Sequence, residues 1–205
     1  MRETDKGADF VPVLTDEDAM RAQFYRLLAG LLSRAPDRGM LDRLGRIQGG
    51  SGDLGTALGT LGQVARAADA AAVDDEYHAL FIGVGRGELM PYGSYYMTGF
   101  VYDRPLARLR DDMARLGIAR AEDVTEPEDH IASICDMMAG LIEGAFGVPV
   151  DLAEQRKFFD MHLAPWAGQF FADLEGAKSA SFYMPVGRVG RAFVEVESTA
   201  FAMAA

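Results

Sequence analysis

Ile131-Ala132-Ser133-Ile134-Cys135-Asp136-Met137-Met138-Ala139-Gly140-Leu141-Ile142 is the stretch whose reading decides the fold. Carried on through Ala145 and Phe146, the apolar positions Ile131, Ile134, Cys135, Met138, Leu141 and Ile142 advance in steps of 3, 1, 3, 3, 1, 3 and 1. That is the broad stripe of an α-helix rather than the alternation of a strand. A face so apolar has to be buried against other elements. Just ahead of it, Thr125-Glu126-Pro127-Glu128 reads as a capping box with a proline suited to the first turn and carboxylates that complement the helix dipole. His130 is surplus to those needs and reads either as a hydrogen-bonded structural residue or as part of a site.

Outward from this helix the pattern repeats. Met20, Phe24, Leu27, Leu28, Leu31 and Leu32 recur at helical spacing after Thr15 and Asp18, which resemble a capping box, and Pro36 ends the run. Glycines from Gly49 to Gly62 predict a loop that opens a weaker helix reaching about Ala72. Asp74-Asp75-Glu76 suits the start of a short helix carrying Tyr77, Leu80 and Phe81 on one face. Six breakers between Gly83 and Gly99, mixed with Tyr92, Tyr95 and Tyr96, predict an ordered loop. Pro105 opens a helix through Leu109 and Met113 that Gly117 closes. Two more helices meet at His162-Leu163-Ala164-Pro165-Trp166, and Phe182, Val186, Val189, Phe193 and Val196 predict a terminal helix despite Gly187 and Gly190. No segment sustains period-2 alternation, and no internal repeat is visible. The expectation is all-α: a single-domain helical bundle over residues 1–205, with 1–14 flexible and a long ordered loop near 83–99.

With 49% hydrophobic and 25% charged residues the chain has the composition of a folded protein with a sizeable core. No run reaches the roughly 18 apolar residues a spanning helix needs, so no membrane insertion is expected. The start, Met1-Arg2-Glu3-Thr4-Asp5-Lys6, leads into no apolar segment, which predicts neither a secretory nor a twin-arginine leader. A single cysteine, Cys135, suits a reducing compartment and with it a cytoplasmic location. Lys and Arg number 20 against 31 Asp and Glu, and a net charge of −11 repels nucleic acid and attracts basic partners. A monomer or a domain-swapped dimer hinged at Gly83 to Gly99 fits this organisation.

The glycines at 83, 85 and 87 match neither the dinucleotide fingerprint nor the Walker pattern. His78, His130 and His162 lack metal-ligand spacing, and no Gly-x-Ser-x-Gly is present. The residues therefore call for no metal and no cofactor, and the chain is expected not to be an enzyme. An acid/base pair of Asp129 and His130, or a nucleotide or pterin module on the glycine loop, stand as the alternatives. The clustered methionines Met137 and Met138, with Met90 and Met97, read as core, although thioethers also suit an adaptable peptide surface.

In order, the chain carries Glu-Tyr-x-x-Leu-Phe at 76–81, Gly-x-Gly-Arg-Gly-Glu at 83–88, Pro-Tyr-x-Ser-x-Tyr at 91–96, Glu-Pro-Glu-Asp-His at 126–130 and His-x-x-Pro-Trp at 162–166. Over about residues 18 to 197 it resembles the TorD/DmsD family of redox-enzyme maturation chaperones. The resemblance implies an all-helical, non-enzymatic cytoplasmic chaperone. Its partner would be the twin-arginine leader and body of a molybdopterin oxidoreductase subunit, such as a formate dehydrogenase or a reductase of S- or N-oxides. Carried over, the leader-binding surface would include Tyr77, Leu80, Phe81, Pro91, Tyr92, Asp129 and His130. Tyr77, Gly85 and Tyr92 stand where sulfoxide-reductase chaperones of the family carry tryptophan, so the client is left open. The physics agrees with such a partner: two guanidinium groups beside an apolar segment need carboxylates bordering a hydrophobic groove. Asp129, with Glu126 or Glu128, would take the arginines, and the aromatic residues the apolar part. A related nitrate-reductase-type chaperone, acting on the folded subunit without leader recognition, is the alternative within the same fold.

Overall fold

A computed structural model describes residues 14–120 and 126–204. Their helices are α1 (Asp16–Ser33), α2 (Arg38–Leu44), α3 (Gly52–Ala67), α4 (Ala70–Tyr77), α5 (Gly93–Thr98), α6 (Arg104–Arg115), α7 (Ile131–Glu143), α8 (Leu152–His162), α9 (Ala167–Gly176) and α10 (Tyr183–Met203). No strand occurs among the described residues, and one isolated bridge joins Tyr92 to His130. The all-α bundle expected from periodicity is what the chain builds. Thr125, read as a helix cap, lies outside the described residues, as do residues 1–13.

The decisive stretch is more central than its stripe suggests. In α7, Ala132, Met137, Ala139 and Gly140 are buried along with the stripe itself, leaving Ser133, Asp136 and Glu143 as the positions that are not. α1 packs along it on one side and α8 on another. The helix also starts later and stops earlier than expected. Ahead of it, Gly93 N donates to Asp129 O and Ile131 N to Pro91 O, so residues 129–131 bond sideways to the 91–93 segment instead of extending the helix. At the far end Gly144 turns left-handed at φ 78°, and the Phe146 ring folds back onto Gly140, where a Cβ would meet it at 2.5 Å.

α1 begins as read, with the Thr15 side chain accepting from Asp18 N. Its buried face is Ala22, Tyr25, Leu28, Ala29, Leu31 and Leu32, whereas Met20 is exposed. Gly52 to Gly62 is helix, not loop, because its glycines serve close packing: a Cβ on Gly55 would sit 2.5 Å from Gly50 C, and one on Gly62 would sit 2.5 Å from Ile47 O. The segment 47–50 lies directly on α3. Part of the expected 83–99 loop is likewise helix, since Asp129 supplies acceptors to the Gly93 and Ser94 amides and starts α5 there.

Asp74-Asp75-Glu76 does not open its helix. Asp69 caps α4 one turn earlier, accepting from Ala72 N, and α4 runs on into a π-helical turn over His78–Ile82. Glu76 instead caps a distant helix: its carboxylate accepts from Ser181 N at 2.8 Å, Phe182 N at 3.0 Å and Tyr183 N at 2.7 Å at the start of α10. Removing it as Glu76→Ala is expected to cost about 2 kcal/mol, read as a lower urea midpoint at unchanged slope. α10 then packs on α9 through its glycines, because a Cβ on Gly190 would fall 2.2 Å from the Phe171 ring.

Candidate functional site

Where α1 faces α7, both helices present small residues, Ala29, Gly30 and Ser33 against Ala132 and Ser133, and the space left open is a groove of about 720 Å³. Tyr77, Phe81 and Ile82, from α4 and the π-helical turn, form one wall. Pro91, Tyr92 and His130 form the next, while Met113, Ile118, Met137 and Phe146 add apolar surface. Glu126, Glu128 and Asp136, with Arg26 and Arg120, line it as the charged groups.

The wall at Tyr92 and His130 is built by two sequence motifs clamping each other. Besides the main-chain bonds from Gly93 and Ile131, the Ser94 amide donates to Asp129 Oδ2 at 2.7 Å. The Tyr92 ring stands edge-on to His130, centroids 5.3 Å apart. His130 caps α7: its Nδ1 accepts from Ala132 N at 3.1 Å, so that nitrogen carries no proton. Burial pushes its pKa down to about 4, against a small opposing pull from Glu126.

Tyr92 donates its hydroxyl to Glu126, and burial followed by that carboxylate raises its pKa well above the ordinary tyrosine value. Burial and Glu126 also raise Tyr77, whose hydroxyl donates to Leu32 O at 3.3 Å and ties this wall to α1. For Glu128, burial is the largest influence and works upward, but the Arg110 hydrogen bonds, a backbone hydrogen bond and the charges of Arg110 and Arg120 together hold the carboxyl below its usual range. Arg110 reaches it at 2.8 Å and Arg120 at 3.3 Å. On α7, Asp136 and Glu143 share the Arg26 guanidinium, the latter at 2.7 Å.

Of the residues singled out in the sequence, Tyr77, Phe81, Pro91, Tyr92, Glu126 and His130 come together on this groove. Leu80 and Asp129 do not line it. Leu80 is fully buried in the core, and Asp129, 2% exposed, lies behind the wall, where it holds the start of α5. His130 Nδ1 is taken up by the Ala132 amide at the start of α7. The sequence reading missed Arg26, Met113, Ile118, Asp136 and Phe146. The signal available for α1 was Ala29, Gly30 and Ser33, three small residues on one face of an otherwise leucine-rich helix. His162 is structural: Nε2 meets Asp112 at 2.8 Å and its carbonyl accepts from Trp166 Nε1 at 2.7 Å. No cluster of His, Cys, Asp and Glu suited to a metal ion occurs among the described residues, and no described helix is long and apolar enough to cross a membrane.

A family model described as nitrate reductase delta subunit matches residues 48–172, which include the whole groove wall from Tyr77 to Phe146 but not α1. The chaperone protein TorD of Vibrio atlanticus is 26% identical over 127 residues, 58% of this chain and 59% of that protein. DmsD of Haemophilus influenzae, assigned as a Tat proofreading chaperone, is 31% identical over 113 residues, 54% of this chain and 53% of that one. The match thus spans between about half and three fifths of the length of these curated relatives. A crystal structure of a candidate redox enzyme maturation protein from Archaeoglobus fulgidus shares the fold, with a TM-score of 0.56 and 22% identity over 86% of this chain and 94% of that one.

Proposed function

Because the chain belongs to the nitrate reductase delta subunit family, we propose that it is a chaperone, not a catalyst, and that the groove between α1 and α7 holds the twin-arginine leader of a molybdopterin oxidoreductase subunit before export. The observation that carries this reading is a groove of about 720 Å³ with an aromatic and aliphatic lining and carboxylates beside it. An apolar peptide segment fits the lining, and guanidinium groups fit the carboxylates. Glu126 is the carboxylate best placed for a leader arginine, because it is exposed at the groove and Tyr92 orients it. Glu128 already faces Arg110 and Arg120, and Asp136 faces Arg26, so an arginine arriving there has to share or displace a guanidinium. Holding a leader calls for reversible affinity rather than chemistry, and the role fits a cytoplasmic protein that needs no cofactor.

Titrating a fluorescent leader peptide into the protein tests this. The expected dissociation constant is about a micromolar or tighter. It should weaken about tenfold for a peptide with both arginines changed to lysine, since lysine lacks the planar fork, and about tenfold for Glu126→Gln. Equal binding of the arginine and lysine peptides would sink the carboxylate part of the reading.

The family's description favours one second reading, in which the folded subunit is the main target and the leader is dispensable. A client with its leader deleted separates the two: undiminished capture of that client supports subunit assembly.

A further inference from the structure

Of the α1 residues that line the groove, Ala29, Gly30 and Ser33 are small and uncharged, and Arg26 alone is long and charged. It crosses to α7, where Nη1 donates to Asp136 while Nε and Nη2 donate to Glu143 at 3.3 Å and 2.7 Å. Asp136 and Glu143 stand about two helical turns apart on one face of α7, so a single guanidinium is shared between two separate carboxylates. Only Asp136 of the two lines the groove.

Holding α1 to α7 does not account for this cluster. The two helices already pack along their buried faces. The side chains of Arg26, Asp136 and Glu143 are 38%, 59% and 34% exposed, and ion pairs that open to water add little to such packing.

The position of the cluster gives it a use. Three carboxylates line the groove. Glu128 is the least accessible of them, its side chain 9% exposed and held by Arg110 and Arg120. A peptide that brings two guanidinium groups therefore meets Glu126, which Tyr92 orients, and Asp136, which already has an arginine on it.

We propose that Arg26 is an internal stand-in for an arginine of the bound peptide: it occupies Asp136 in the free chain and yields that carboxylate to the second guanidinium of a paired-arginine segment. The inference rests on the reading of the groove as a leader site and adds what regulates that site. Arg26 has a place to go when it yields, because its Nε and Nη2 contacts to Glu143 lie outside the groove lining and only the Nη1 contact has to break. Asp136 is open to a peptide only for the fraction of time that Arg26 has left it, and the apparent affinity falls by that fraction, which keeps the hold on the peptide reversible. A guanidinium gains most from the vacated carboxylate, since its planar fork matches the two oxygens, whereas a lysine ammonium meets them as a point charge.

The test titrates two fluorescent peptides into the full chain, one with two consecutive arginines ahead of a leucine-rich run and one with lysines in their place. The proteins compared are the wild type, Arg26→Met, Arg26→Lys, and Arg26→Met combined with Asp136→Asn. The arginine peptide is expected to bind Arg26→Met about fivefold more tightly than the wild type, and the lysine peptide to gain about twofold or less. Arg26→Lys should fall between wild type and Arg26→Met, because an ammonium competes for Asp136 without the fork. In the double variant the gain should disappear. The melting temperature of Arg26→Met should stay within about 3 °C of wild type, so that affinity is read on a folded chain. Unchanged or weaker binding of the arginine peptide by Arg26→Met overturns the stand-in alone. An equal gain for both peptides, or a gain that survives in the double variant, also overturns it, because the methionine would then only have widened the groove. Failure of both the wild type and Arg26→Met to bind either peptide overturns the reading of the groove and the stand-in with it.

Discussion

Replacing Glu197 by alanine is expected to lower folding stability by about 3–5 kcal/mol, because it leaves a largely buried arginine side chain without its main partner. Glu197 is 1% exposed in the middle of α10. It accepts from Arg21 Nε at 2.8 Å, from Arg21 Nη2 at 2.9 Å and from the Tyr25 hydroxyl at 2.9 Å. Arg21 also donates to Gln155 at 2.9 Å and to Asp18 at 3.1 Å, so one guanidinium joins α1, α8 and α10. Burial, then the Glu197 carboxylate, hold the Tyr25 phenol well above its ordinary pKa. Asp18 and Gln155 remain in Glu197→Ala but do not replace a bidentate carboxylate. In thermal unfolding the loss should read as a fall of roughly 6–20 °C. The double variant Arg21→Met with Glu197→Leu should recover much of that, since an apolar pair carries no desolvation penalty. A melting temperature unchanged in Glu197→Ala would mean that water and the remaining Asp18 and Gln155 contacts satisfy the Arg21 guanidinium, so that no unpaired buried charge is left. The effect reaches the groove, because α1 carries Ala29, Gly30 and Ser33 into its lining and lies outside the family-matched residues.

The all-helical class was legible because α1, α6, α7 and α10 each carry an apolar face at helical spacing, and caps such as Thr15 and Gly117 obey local rules. What resisted reading was decided by contacts distant in sequence. Gly55 and Gly62 look like loop residues until segment 47–50 is seen lying on them. α2 was missed because Pro36 reads as an end, whereas Asp37 right after it caps a new helix by accepting from Met40 N. Glu76 looks like a residue of a helix's first turn, and only the tertiary fold shows which helix it caps.

The site divides in the same way. That Pro91-Tyr92 and the stretch around Glu126 and His130 belong together came from the resemblance, and the fold brings them into one wall. Which carboxylate of that stretch faces the groove depends on the backbone turn ahead of α7. That turn buries Asp129 and leaves Glu126 exposed, a distinction no spacing rule contains.

His130 makes the state of that wall measurable, since acid should undo it. In the folded chain its pKa is about 4, against an ordinary 6.5. Between these values the unfolded chain binds a proton that the folded chain refuses, so stability falls as pH falls through this window. The loss should be about 2 kcal/mol by pH 5 and about 3 kcal/mol once pH 4 is passed, with nothing further from this group below that. Burial also lowers His162, despite Asp112, and adds a loss of the same sign. The two are separated by His130→Asn, which still offers an oxygen to the Ala132 amide but does not titrate. Urea unfolding at pH 7 and pH 5 should show the difference shrink by about 2 kcal/mol in that variant. Proton resonances of the imidazole give the pKa directly. A midpoint near 6.5 would mean that water reaches His130 freely, and the wall it forms with Tyr92 would then be open rather than packed.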